Sequence, residues 1–113
     1  MVNAMILLDK SGQLPVEAQF DSPAEGPVMF VLSGTAWTQE APCVIGLNLF
    51  IDGQVIGNPA MCFANANAVH MAMRTTFIMF DNLSFGNHTI TVQPYDSNSI
   101  TDPNDAFQVT MFY

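Results

Sequence analysis

Hydrophobic side chains recur at every second residue along most of this chain, and that period limits its fold more than any other feature. Val16, Ala18 and Phe20 alternate with Glu17 and Gln19, and Ile45, Leu47, Leu49 and Ile51 alternate with Gly46, Asn48 and Phe50. Ile90 and Val92 are set against Thr89, Thr91 and Gln93, and Phe107, Val109, Met111 and Tyr113 against Gln108, Thr110 and Phe112. Successive side chains of a strand point to opposite faces, so each run reads as a strand with one face toward a core. The stretch 28–32 is apolar throughout, which predicts a strand covered on both faces.

Turn chemistry separates these runs at short intervals. Ser11-Gly12, the segment 23–27 with two prolines, Asn58-Pro59 and Ser84-Phe85-Gly86-Asn87 each interrupt the pattern. Asp52-Gly53 is the strongest hairpin signal, because a type I′ turn needs positive φ at both central positions. It predicts that strand 44–51 pairs with a short strand 54–57. The other strands are expected at 4–8, 15–20, 28–38, 71–80, 88–95 and 107–113, with a loop over 64–69. Eight or nine short strands without a long helix predict an all-β fold, an antiparallel β-sandwich and within that class a jelly roll. The expected core holds Phe20, Phe30, Leu32, Leu47, Leu49, Ile51, Phe77, Ile90, Val92, Phe107 and Val109. A chain of 113 residues has room for one such domain, spanning 1–113.

Half of the residues are hydrophobic and only 11% are charged, against a usual charged share of about 25%. So few charges cannot coat the surface, which predicts a homo-oligomer hiding an apolar face drawn from Met71, Met73, Met79, Phe80, Phe85, Phe112 and Tyr113. Ten acidic residues and only Lys10 and Arg74 as bases give a net charge of −8. Two cations build no basic patch, so nucleic acid and anionic membrane are excluded as partners. No run approaches the ~18 apolar residues of a membrane span. The first ten residues lack a basic n-region and a long apolar run, which predicts a soluble chain with no signal peptide, cytoplasmic or exported by a leaderless route. Cys43 and Cys62 fall near the ends of expected strands, where a disulfide is conceivable; in a leaderless chain two buried thiols are the expected state.

Chemistry concentrates in 96–105, where Asp96, Thr101, Asp102, Asn104 and Asp105 crowd oxygen ligands at the mouth of the last strand. Ca²⁺ takes six to eight oxygens, and such a loop could supply several. The spacing is not that of an EF-hand, and the same residue types are ordinary in polar turns, where they hydrogen-bond local backbone. A second group comprises Asn65, Asn67, His70 and Arg74, whose amides, imidazole and guanidinium suit a polyol ligand. Arg74 could equally form an ion pair with a neighbouring acid. Trp37 could stack on a sugar ring or plug the core or an interface. No nucleophile elbow, zinc-peptidase pair or phosphate-binding glycine loop is present, and nothing in the spacing pairs a cysteine with His70, so an enzyme is not expected.

Three stretches carry a family resemblance: Ser33-Gly34-Thr35-Ala36-Trp37, the run 86–92, and the run 101–109. Together they resemble small bacterial jelly-roll modules, and Asp96, Thr101, Asn104 and Asp105 resemble the terminal calcium loop of small calcium-dependent galactose-binding bacterial lectins. The resemblance implies a calcium-assisted carbohydrate-binding or adhesion module with Asp96, Thr101, Asn104 and Asp105 at the metal; residue chemistry adds Asp102 to that set and offers Asn65, Asn67, His70, Arg74 and Trp37 to the sugar. The sugar-contact segment of those lectins has no counterpart here, so galactose is not among the expectations. The alternative is a ligand-free structural module, a trimeric jelly roll of the tumour-necrosis-factor or C1q type.

Overall fold

A computed structural model describes residues 3–113. Met1 and Val2, which begin the stretch read above for a leader, lie outside the described residues. Nine strands follow in order: β1 (Ala4–Ser11), β2 (Val16–Ser22), β3 (Gly26–Ala36), β4 (Cys43–Ile51), β5 (Gln54–Ala64), β6 (Met71–Ala72), β7 (Thr76–Leu83), β8 (Gly86–Pro94) and β9 (Ala106–Phe112). One sheet has the order β1-β9-β3, with β7 and β6 both against the far edge of β3; the other has the order β2-β8-β4-β5. All pairings are antiparallel.

The register shows that β6 and β7 are one edge strand with an irregularity. Leu32 pairs with Thr76, yet Thr35 pairs with Ala72, so the stretch 72–76 holds one residue more than its partner on β3. Taken together they leave eight strands in the order 1-8-3-6 and 2-7-4-5, the double Greek key of a jelly roll. The fold class is therefore as the periodicity and turn spacing predict.

The extra residue also corrects the expected core. A one-residue insertion exchanges the two faces of a strand. Met73 is buried before it and Ile78 after it, which turns Phe77 and Met79 outward, 65% and 59% exposed. Phe77 was expected inside, because an unbroken alternation from Met71 to Met79 hides the slip; Met73, expected on an oligomer face, is instead in the core. The other ten expected core residues are buried. A comparable irregularity between Ile6 and Leu8 lets both Leu7 and Leu8 point inward.

Three further expectations change: the covering of β3, the end of β5 and the burial of the cysteines. Val28, Phe30 and Leu32 are completely buried, but Met29 and Val31 are only half-buried, so β3 has one covered face and not two. The strand after Asp52-Gly53 does not stop at Asn58-Pro59. It runs on to Ala64 because β5 is a sheet edge, where proline's missing N–H removes no ladder bond. Asp52 and Gly53 have φ of 50° and 83°, the geometry the hairpin requires. Cys43 and Cys62 are unbonded and half-buried on adjacent strands, less hidden than expected, and burial pushes the Cys62 thiol pKa up.

Candidate functional site

In this topology the connections β1–β2, β3–β4, β5–β6 and β8–β9 emerge at the same end of the sandwich, and backbone hydrogen bonds tie them together. Gly12 N–H donates to the Asp105 carbonyl (3.0 Å), Trp37 and Ile100 exchange N–H···O bonds (2.9 and 2.8 Å), and Ala68 N–H donates to the Thr38 carbonyl (2.9 Å). Side chains add to the brace: the Leu14 N–H donates to Thr101 Oγ1 (2.8 Å) and the Ala41 N–H to Asn67 Oδ1 (2.8 Å).

Asp105 is the centre of this end. Its side chain has no exposure to solvent, and both oxygens are engaged. Oδ1 accepts from the Thr35 hydroxyl and from His70 Nδ1, each at 2.8 Å, and Oδ2 accepts from the Asp102 N–H at 2.9 Å. A buried carboxylate is tolerable only when hydrogen-bonded in this way. The hydrogen bond donated to Asp105 raises the His70 pKa above its ordinary value; partial desolvation opposes this, and the charges of Asp105 and Asp102 reinforce it. With Nδ1–H committed to Asp105, Nε2 is turned toward Asp102 Oδ2, 3.5 Å away. Trp37 flanks the imidazole, with ring centroids 5.9 Å apart and planes at 47°. Its indole N–H is shielded from solvent and has no acceptor among the described residues.

The structure thus joins residues that the sequence held in two separate groups: Asp102 and Asp105 from the acidic loop, His70 and Trp37 from the polyol set. His70, Asp102 and Asp105 place potential ligand atoms within 4.8 Å of one another. The remaining expected residues place no side chain in this cluster. Asp96 Oδ1 accepts from the Asn98 N–H and the Ser99 hydroxyl, closing its own turn, and the Asn104 N–H donates to Asp102 Oδ1. Thr101 is buried with its hydroxyl oxygen used by Leu14, Asn65 is exposed, and Asn67 braces the β3–β4 connection. Arg74 forms no ion pair among the described residues. It lines a different cavity of about 650 Å³, with Pro59, Met61, Cys62, Phe63 and Thr76, between β5 and the β6–β7 edge. Thr35 was missed: a hydroxyl 70 residues from its carboxylate partner gives no local signal.

A second imidazole, His88, lies at the opposite end. Nδ1 is 2.6 Å from Asp52 Oδ2 and Nε2 is 2.8 Å from the Ser84 carbonyl, with Ser84 Oγ at 3.3 Å. The trio Asp52, His88 and Ser84 has the composition of a hydrolytic triad, but Nε2 faces a carbonyl oxygen and so donates. Both ring nitrogens face acceptors, an arrangement that the imidazolium form satisfies, and the ring ties two turns together instead of activating the hydroxyl.

No protein-family model matches this chain, and no curated protein matches it in sequence. Among solved structures it is similar to a family 35 carbohydrate binding module from Clostridium thermocellum, with a TM-score of 0.56 and 10% identity over 96% of this chain and 91% of that one. It is also similar to the EclA C-terminal domain, a sugar-binding protein, with a TM-score of 0.50 and 12% identity over 96% of this chain and 76% of that one. A third likeness is to dimeric latent PorU from Porphyromonas gingivalis, with a TM-score of 0.56 and 13% identity over 87% of this chain but only 10% of that one. At these identities the likeness is one of fold. The class defined is a small jelly-roll β-sandwich that shares its architecture with carbohydrate-binding modules.

Proposed function

We propose that this protein is a carbohydrate-binding module without catalytic activity, and that its binding end is the one built around Asp105. The observation that carries the reading is the gathering of Trp37 and Asp102 about His70, which a buried carboxylate with three hydrogen bonds holds in place. An aromatic side chain, a ring nitrogen and a carboxylate held on a rigid brace are the components that recognise a polyol. The sugar-binding descriptions of two structures with this fold agree with it. His70 Nε2 faces a carboxylate and not a hydroxyl or thiol, which favours binding over nucleophilic chemistry.

Calcium assistance, expected from the oxygen-rich loop, finds partial support in the cluster of His70, Asp102 and Asp105. Calcium prefers an all-oxygen shell of six to eight ligands. This cluster offers one nitrogen and two carboxylates, one of them buried and already accepting three hydrogen bonds, so the donor set fits calcium poorly and sugar contact is assigned to the side chains directly. A glycan array run with and without chelator, with Asp102→Ala beside the native chain, tests both parts. Binding that survives chelation and is lost in Asp102→Ala supports direct contact, and no binding to any glycan refutes the module.

The second reading is a self-associating structural module, and one observation favours it. On the outer face of the β1-β9-β3-β7 sheet the register aligns Ala4, Phe112, Met29 and Met79 in one row and Ile6, Thr110, Val31 and Phe77 in the next. Ile6, Phe77 and Met79 are each more than half exposed, and an apolar patch of this kind marks an interface. Self-association and sugar binding occupy different parts of the molecule and are compatible.

A further inference from the structure

The same sheet face changes character beyond those two apolar rows. Asp9 pairs with Gln108, and Gln108 with Ser33 across β9, so the third row is Asp9, Gln108, Ser33, with Thr75 beside Ser33 just past the last β3–β7 pair, Leu32 with Thr76. These four side chains and Thr35 border a trough of about 370 Å³, with Ala72 and Ala106 among its small lining residues.

Polar residues on the outward face of a strand are ordinary, but three features set this row apart. It is concave: the next row holds only short side chains, Ser11, Ala106, Thr35 and Ala72, and the extra residue in 72–76 interrupts the edge strand at this point. Its hydrogen-bonding capacity is unspent, since the side chains of Asp9, Ser33, Thr75 and Gln108 have no hydrogen-bond partner among the described residues. It also adjoins the loop end, because Thr35 both borders the trough and donates to Asp105. An acceptor-only carboxylate, an amide that donates and accepts, and two hydroxyls match the alternating donors and acceptors of a polyol. Four strands spaced about 4.8 Å apart give the row a length of about 14 Å, enough for a short oligosaccharide and more than one sugar ring fills.

We infer that this trough is a second carbohydrate subsite, which takes a neutral oligosaccharide lying across the strands of the β1-β9-β3-β7 sheet. The ligand class rests on the carbohydrate reading of the loop end; the place does not. The test is a titration of ¹⁵N-labelled protein with mono- to hexasaccharides of glucose, xylose, mannose and galactose. Hexasaccharides are expected to shift the amides of Asp9, Ser33 and Gln108 as well as those of Trp37 and His70, whereas monosaccharides shift only the latter. Ser33→Ala combined with Gln108→Ala should weaken hexasaccharide binding about tenfold, as the loss of two modest hydrogen bonds implies, and leave monosaccharide binding unchanged. Asp9→Asn, a milder change in an exposed residue, should weaken it in the same direction, and thermal melts check that both variants fold. Shifts confined to the loop end would overturn the trough and leave the module reading standing. Shifts confined to the trough would uphold it and overturn the loop-end site, and no shift with any saccharide would overturn both.

Discussion

His70 Nδ1 lies 2.8 Å from Oδ1 of Asp105, a carboxylate that solvent does not reach at all. The partly exposed imidazole is therefore aimed by a residue that no ligand can touch. Asp105→Ala leaves the Thr35 hydroxyl, the His70 ring and the Asp102 N–H without their acceptor. It should destabilise the fold by about 3 kcal/mol, since bonds to a charged group contribute roughly 1.5–3 kcal/mol each and are only partly replaced by water. Asp105→Asn keeps the shape and one acceptor and should cost less. In both variants the His70 pKa, read by NMR titration, should fall toward its ordinary value, because the Asp105 carboxylate that holds it up is gone.

His88 gives a pH dependence whose sign follows from its partners. The hydrogen bond donated to Asp52 raises its pKa, burial opposes that, and the Ser84 carbonyl and the Asp52 charge add to the rise. Burial alone would raise the Asp52 pKa; the hydrogen bonds from His88 and the Thr89 N–H outweigh it, and the net shift is downward. Phe20 covers the imidazole, with ring centroids 5.6 Å apart, and the exposed Asp21 and Asn87 pair nearby. A raised histidine pKa contributes stability that is complete below about pH 6.5 and is lost as pH rises through the folded-state value. A lowered aspartate pKa contributes stability that is present above about pH 3.9 and is lost as pH falls through its folded-state value. Melting temperature should thus be higher near pH 5.5 than near pH 8.5, and His88→Gln should flatten most of that difference. A His70→Gln control reports how much the other imidazole adds.

Self-association predicts a species heavier than the 12.3 kDa chain in sedimentation at micromolar concentration. Phe77→Asp places a charge at the β7 end of the apolar rows, on their most exposed large side chain, and should shift the population to monomer. Because Phe77 is outward and 65% exposed, its replacement should change monomer stability by only about 0.5 kcal/mol. A chain that is already monomeric before substitution removes the structural-module reading.

Gly57 carries a prediction about the join between the sheets. Its φ is 62°, and a Cβ built there would stand 2.7 Å from Cγ2 and 2.8 Å from Cγ1 of Ile78, on β7 of the facing sheet. Ile is branched at Cβ and has little rotamer freedom with which to yield. Gly57→Ala should lower stability by about 1–3 kcal/mol, from overpacking plus a left-handed backbone. Gly53→Ala, in the exposed hairpin with nothing within 4 Å, isolates the backbone part alone.

Calcium is tested by melts in excess metal and in chelator. Binding to the folded state alone raises stability by about 2.7 kcal/mol at a hundredfold excess over the dissociation constant. Given the engaged oxygens of Asp105, Thr101 and Asp96, the two curves should superimpose. A rise of several degrees would show that the loop rearranges to release those oxygens.

Strands and turns were legible in the sequence because their causes are local. Alternation fixes which side chains of β4, β8 and β9 face inward, and Asp52-Gly53 fixes a hairpin through its own φ angles. Where a cause is not local the reading slipped. Nothing near Phe77 announces that β3 will oppose 72–76 with one residue fewer, and that single residue decides which face is inside. Nor does Pro59 reveal from its neighbours that β5 is an edge strand.

The candidate site divides along the same line. The sequence by itself determined which residue types were available: a carboxylate-rich loop, a histidine after two amides, and one tryptophan closing an apolar strand. Only the tertiary structure decided that Asp105 is a buried support and not a surface ligand, that Thr35 and His70 converge on it, and that Arg74 is elsewhere. Side-chain periodicity is a property of a few consecutive residues, whereas the surroundings of Asp105 are set by four connections that lie far apart in the chain and meet only when two sheets close on a common core.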